Sequence, residues 1–257
     1  MKSNRLFALL CATAMLLSFT ACDSKKNNED KSSGNVTSSS AETTEKQDAE
    51  SKTELGASGT FDSEFVLFGE NNAYIKGKAI DDRLGCAEML YALEAIKGEN
   101  IPLDLWFCFT VREEIGLSGA LTAAQAIAPD YSVVLESTAV ADLPDVPENS
   151  KVATLGNGGA VSLRDRSTIY DRGLVSFIME LAEKKGIKAQ YKRYVSGGND
   201  AGSIHKSGSG VKALAISAPS RYIHSPACVV SYDDYLSIGE LLIAFIKEFD
   251  MEKIENA

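Results

Sequence analysis

The stretch "LDLWFCFTVREEIGLSGA", Leu103 to Ala120, starts as an apolar run and ends in a Gly-bearing turn. Its first half reads as a buried strand, because aromatic and aliphatic residues follow one another with almost no polar face. Glu113 and Glu114 come directly after it. Two like charges side by side at the mouth of a buried strand repel each other. Solvent, a shared proton or a bound cation must offset that repulsion.

Working outward, strands and helices alternate. "EFVLFG" (Glu64 to Gly69) and "YSVVLEST" (Tyr131 to Thr138) read as strands, as do "KVATLG" (Lys151 to Gly156), "AQYKRYV" (Ala189 to Val195) and "VKALAISAP" (Val211 to Pro219). Apolar residues at helical spacing mark "RLGCAEMLYALEAIKG" (Arg83 to Gly98), "GALTAAQAI" (Gly119 to Ile127), "TIYDRGLVSFIMELAEKKG" (Thr168 to Gly186) and "DDYLSIGELLIAFIKEF" (Asp233 to Phe249). "GNDAGSIHKSG" (Gly198 to Gly208) reads as a turn and a short helix. The order predicts an α/β fold, a sheet with helices on both faces. Ligands of such sheets bind beyond the carboxyl ends of the strands.

The acids fall at those ends. Asp81 and Asp82 precede the first helix, Glu113 and Glu114 follow one strand, Glu136 closes another, and His224 follows "LAISAPSRYI". If the strands share a sheet, these groups converge. A bound divalent cation would relieve all the repulsions at once, and zinc accepts carboxylate and imidazole ligands together. A carboxylate left free beside a metal can take a proton from water, which is hydrolytic chemistry. The bland alternative is that each acid pair is simply solvated.

The chain has 257 residues and a formal net charge of −10 with no basic cluster, which argues against nucleic-acid binding. Residues 1–22 read as a signal peptide: Lys2 and Arg5, the apolar "LFALLCATAMLLSF", then "FTAC". The small residue before Cys22 is similar to a bacterial lipobox, so Cys22 is the expected lipidation site of an extracytoplasmic, membrane-anchored lipoprotein, with plain secretion as the alternative. Residues 23–60 are nearly all polar and read as a disordered tether. The folded part is then residues 61–257. Cys86, Cys108 and Cys228 form neither a disulfide framework nor a zinc-ribbon pattern.

Six stretches carry a resemblance. "GKAIDDRLGC", "VREEIGLSGA", "VVLESTAVADLP", "GNGGAVSLRD", "SGGNDAGSIHKSGSGV" and "SAPSRYIHSP" follow one another in an order that resembles the M42 family of metallo-aminopeptidases, the glutamyl and tetrahedral aminopeptidase group. The resemblance covers roughly residues 61–249. It implies a mixed sheet of the zinc-peptidase kind, a peptide substrate, and a zinc or cobalt site with two metals in the family and as few as one here. By carry-over, Asp81 bridges two metals and Asp82 supports the turn beside it. Glu113 is the general acid and base. Glu114 and His224 bind one metal and Glu136 the other. Gly198, Asn199, Asp200, Arg221 and Tyr222 shape the substrate end.

The pattern is incomplete. The family's His-x-Asp segment and its inserted β-domain have no counterpart, and no His precedes His205. One metal position therefore keeps Asp81, Glu114 and His224, while the other keeps only Asp81 and Glu136. His205 could in principle stand in for the missing ligand. Missing strands should leave a sheet edge exposed, and loss of the insertion puts large oligomers in doubt. Three expectations follow: a shortened metallo-aminopeptidase, a catalytically inactive binding lipoprotein with the same fold, or a chain completed by a partner.

Overall fold

Two strands are buried along nearly their whole length: β5 (Tyr131–Ala139) and β8 (Lys212–Arg221). A strand covered on both faces loses the polar alternation of a half-exposed one. That is why "SVVLEST" and "ALAISAP" carry small or apolar side chains at almost every position. They pair in parallel, from Tyr131 against Lys212 to Ala139 against Ser220. The structure is a computed structural model that describes the backbone of residues 7–13, residues 55 and 57, and residues 59–257.

Around this pair the sheet has nine strands. Its main path runs β2 (Val66–Phe68), β3 (Tyr74–Gly77), β9 (Cys228–Ser231), β8, β5, β1 (Phe7–Thr13) and β4 (Asp104–Thr110). β6 (Gly159–Val161) pairs with β8 and with β7 (Ala189–Tyr191). The run β8–β5–β1–β4 is parallel and the β2–β3–β9 side is antiparallel, so the sheet is mixed. Helices α1 (Ile80–Ala95), α3 (Arg172–Lys185), α5 (Tyr232–Glu248) and α6 (Met251–Glu255) pack with one another, and α2 (Ser118–Ile127) packs with α4 (Ala201–Ile204). The core lies between α5, α3 and the sheet, with Phe245, Ile238, Leu241, Leu174 and Ile178 almost fully buried.

Local signals set the helix ends. Asp171 accepts the Leu174 N–H and starts α3 one turn inside the stretch read as helical, so Thr168 to Tyr170 lie outside it. Gly186, with φ 67°, ends it. Ser231 accepts the Asp234 N–H and starts α5.

Two expectations need correcting. "KVATLG" is not a strand; it runs into a turn, with Thr154 and, just beyond it, Gly158 tied to Gln190. The strand beside it is Gly159–Val161. Phe7–Thr13 pairs with β4 from Phe7 against Asp104 to Thr13 against Thr110, and with β5 from Ala8 against Tyr131 to Cys11 against Val134. These residues belong to the segment read as a leader. An uncharged apolar run suits a strand inside a sheet as well as it suits a leader, and composition does not separate the two. Cys22 and most of the expected tether lie outside the described residues. The second correction concerns Asp82 and belongs to the site.

Candidate metal centre

Four segments bring acids and an imidazole together at the carboxyl end of the parallel strands. Asp81 and Asp82 stand where β3 hands over to α1, and the peptide bond between them is cis. Neither has helical angles, so regular helix begins at Arg83, as the sequence suggests. Asp82 is buried, and its Oδ1 accepts the Gly85 N–H at 3.1 Å, an N-capping contact. Gly85 makes room for it: a Cβ there would lie 2.3 Å from Asp82 Oδ2.

Glu113 and Glu114 leave β4 in a tight turn. The Leu117 N–H reaches the Arg112 and Glu113 carbonyls, and the Gly119 N–H reaches the Val111 carbonyl at 3.2 Å. Glu136 projects from β5, and His224 sits on the turn between β8 and β9. Of the ten non-glycine residues with positive φ among the described residues, five flank these groups: Ala79, Arg112, Leu117, Tyr222 and His224. Such conformations cost about 1–3 kcal/mol each and gather where a fold holds functional groups in place.

His224 Nε2 lies 3.1 Å from Asp81 Oδ2 and 3.5 Å from Glu114 Oε2. Ligand atoms of Asp81, Glu114 and His224 all lie within 4.8 Å of one another, and so do those of Asp81, Asp82 and Glu136. Asp81 is common to both groups. The expectation that one position holds only two donors is therefore corrected. Asp82 adds a third carboxylate to Asp81 and Glu136. His205 takes no part, since its Nδ1 lies 2.6 Å from the Ala201 carbonyl oxygen.

The electrostatics are those of carboxylates crowded without a counter-ion. Burial, then Glu114, Asp200 and Asp81, push the Glu113 carboxyl up to about 8. Glu136 is driven well above the usual range by burial and by Asp82 and Asp81. Burial and Asp81 also raise Glu114, while His224 lowers it. Three oxygen and nitrogen donors per group and a surplus of negative charge fit hard or borderline divalent cations.

A cavity of about 410 Å³ opens over these groups, lined by Asp81, Glu113, Glu114, Glu136 and His224 together with Gly198, Asn199 and Lys192. Of the residues expected at the substrate end, Gly198 and Asn199 lie on its wall. Asp200 lies behind it, accepting from Thr110 Oγ1 at 2.5 Å. Arg221 donates through Nε to Asp142 at 2.8 Å, and Tyr222 is exposed. Lys192 was missed. In "AQYKRYV" it looks like any lysine on a short strand, and only the fold shows what it faces.

Comparison with known proteins points to one family. The profile of the family described as M42 glutamyl aminopeptidase matches residues 21–241. A glutamyl aminopeptidase of Lactococcus lactis is 30% identical over 189 residues, 74% of this chain and 52% of its own length. A lysyl aminopeptidase of Pyrococcus furiosus is 28% identical over 200 residues, 76% and 55% of the two chains. Among solved structures, the aminopeptidase APDkam598 of Desulfurococcus kamchatkensis is 38% identical with a TM-score of 0.72, over 76% of this chain and 54% of that one. The chain spans about half the length of the relatives it matches. By its profile match, its fold and its clustered acids, the chain belongs to the M42 peptidase family.

Proposed function

We propose that the protein is a metal-dependent aminopeptidase that hydrolyses the first peptide bond of its substrates. The observation that carries this reading is the pair of three-donor groups sharing Asp81, with Glu113 beside them. Asp81, Glu114 and His224 would hold one cation, and Asp81, Asp82 and Glu136 a second. A divalent cation such as zinc or cobalt, when bound, polarises a carbonyl, acidifies water and draws the raised pKa of Glu113 down. Glu113 then has two duties. Its carboxylate takes a proton from the attacking water, and its carboxyl returns that proton to the leaving amine. The half-buried position of Glu113 keeps bulk water from competing for that proton. The turn at Gly198 and Asn199 gives the substrate backbone a wall to lie against.

The test is turnover of aminoacyl-p-nitroanilides by zinc- or cobalt-loaded protein, with metal content measured alongside. Glu113→Gln should keep its metal and lose roughly 10²–10⁴-fold in kcat. Metal binding without turnover in the wild-type protein would leave the binding-protein reading.

Our proposal for location rests on the sequence. Cleavage before Cys22 and lipidation of its thiol would place the domain outside the cytoplasm, and Phe7–Thr13 would then be absent from the mature chain. Intact-mass measurement of protein from the membrane fraction checks this: an N-terminus at Met1 would refute it.

A further inference from the structure

Part of the wall of the acidic cavity comes from two segments that carry none of its acids. One is the turn Ser196 to Asn199, and the other is Ser167, in the small loop 164–169. Arg164 and Ile169 pair across the mouth of that loop, and the Asp165 N–H donates to the Thr168 carbonyl at 3.0 Å. Arg164 and Arg166 are exposed, but Asp165 between them turns inward and is buried. A buried carboxylate needs donors, and this one has four. Its Oδ1 accepts the Ser167 N–H at 2.7 Å, the Ser167 hydroxyl at 3.0 Å and the Thr168 N–H at 2.7 Å. Its Oδ2 accepts the Tyr170 hydroxyl at 2.5 Å.

Three of these bonds fold the loop upon itself. The fourth leads out of it. The buried Tyr170 hydroxyl also accepts from Asn199 Nδ2 at 3.0 Å, and Asn199 Oδ1 accepts the Ala201 N–H at 2.9 Å. Tyr170 therefore links a charged acceptor to a residue of the cavity wall, and bonds to a charged group are the stronger kind. Two further contacts hold the same turn. The Arg166 N–H donates to the Gly197 carbonyl at 3.0 Å. Ser167 packs where Gly198 and Gly202 lack side chains: a Cβ would lie 2.9 Å from its Oγ at Gly198 and 2.6 Å at Gly202. Neither Asp165 nor Tyr170 lines the cavity. Their hydrogen bonds end on its wall, and the acids that would hold cations are placed by other elements.

Resting on the aminopeptidase reading, we propose that Asp165 and Tyr170 are positioning residues. Through the hydroxyl link they hold the turn Gly197 to Asn199 in place, and so set how tightly a peptide binds rather than how fast it is cleaved. A wall fixed before binding spares the substrate the cost of ordering it.

The test measures KM and kcat for Leu-p-nitroanilide in the metal-loaded full-length protein, in Tyr170→Phe and in Ile178→Val, with melting temperatures alongside. Tyr170→Phe removes only the linking hydroxyl. It should raise KM roughly 5- to 20-fold, the worth of one buried hydrogen bond to a charged group, and keep kcat and metal content. Ile178→Val trims the buried face of α3, away from the cavity lining. It should lower the melting temperature and leave KM as it was. An unchanged KM in Tyr170→Phe overturns the proposal, and so does an equal rise in Ile178→Val, which would mark general loosening. Should Tyr170→Phe fold poorly, Asp165→Asn tests the same link. Its oxygen must face the two backbone N–H groups, so its amide N–H meets the hydroxyl and the anchor is lost. A KM raised roughly 3- to 10-fold supports the proposal, and the wild-type KM overturns it. Absence of turnover in the wild-type protein would count against the aminopeptidase reading instead. Calorimetric binding of the tripeptide Ala-Ala-Ala then decides for Tyr170: weaker binding in Tyr170→Phe supports its role, and equal or absent binding overturns it.

Discussion

Glu88 lies one helical turn past Gly85, 1% exposed, and its Oε1 has no hydrogen-bond partner. Burial drives its carboxyl well above the ordinary value of 4.5. In the unfolded chain the same group ionises normally. Its folded pKa being the higher, its stabilising contribution is whole below about pH 4.5 and is lost as pH climbs toward the folded value. Glu88→Met removes that loss at little change in volume. We predict a gain of about 1–3 kcal/mol at pH 8 and little at pH 5, read as the difference in melting temperature. A loss at both pH values would mean that the carboxyl has a partner. The sequence hid this residue, because in "CAEMLYALEA" position 88 looks like one more solvent-facing glutamate. It equally hid the wall position of Lys192. Asp81, Glu113, Glu114, Glu136 and His224 were legible, because each follows a strand-like run or opens a helix, and strand ends in one sheet must meet.

Elements were legible where they were long. The helices 83–98 and 233–249 and the strands 104–110, 131–139 and 212–221 carry enough repeats of their period to stand out. β3, β6 and β9 were not, because three or four residues between turns show no period at all, and their pairing comes from the neighbours already in place. Two predictions belong here. At Gly119 a Cβ would fall 2.2 Å from the Val111 carbonyl oxygen, so this close approach fixes the turn that carries Glu113 and Glu114. Gly119→Ala should cost about 1–3 kcal/mol and weaken cation binding together with stability, as read by denaturant titration with and without zinc. The second concerns β1. Without Phe7–Thr13, β4 and β5 would stand about 9–10 Å apart with facing, unpaired backbone groups. A chain beginning at residue 23 should melt lower than the full chain, and those β5 amides that face β1 should exchange faster with deuterium while those that face β8 should not. Equal melting and equal exchange would show that the strand is dispensable.

At the scale of the molecule, the fold gathers carboxylates more closely than they tolerate in water, and Glu113, Glu114, Glu136 and Asp200 carry raised pKa values. That convergence was legible as an argument about charge; that Asp82 joins it was not, because the turn at its cis peptide bond gives no periodic signal. Protons and cations compete for these oxygens, and the competition sets the pH dependence. Each raised carboxyl favours the metal-free fold below about pH 4.5 and withdraws that support as pH rises through its folded value, near 8 for Glu113. Cation affinity grows over the same window, because the protons have left. Added zinc or cobalt should therefore change the melting temperature little at pH 5. At pH 8 and 100 times Kd it should add about 2.7 kcal/mol, or roughly 5–10 °C for a domain of this size. Asp81 belongs to both donor groups and His224 to one. Asp81→Asn should thus abolish the response, while His224→Gln should keep part of it. An equal response in Asp81→Asn and wild type would place the cation somewhere other than this cluster.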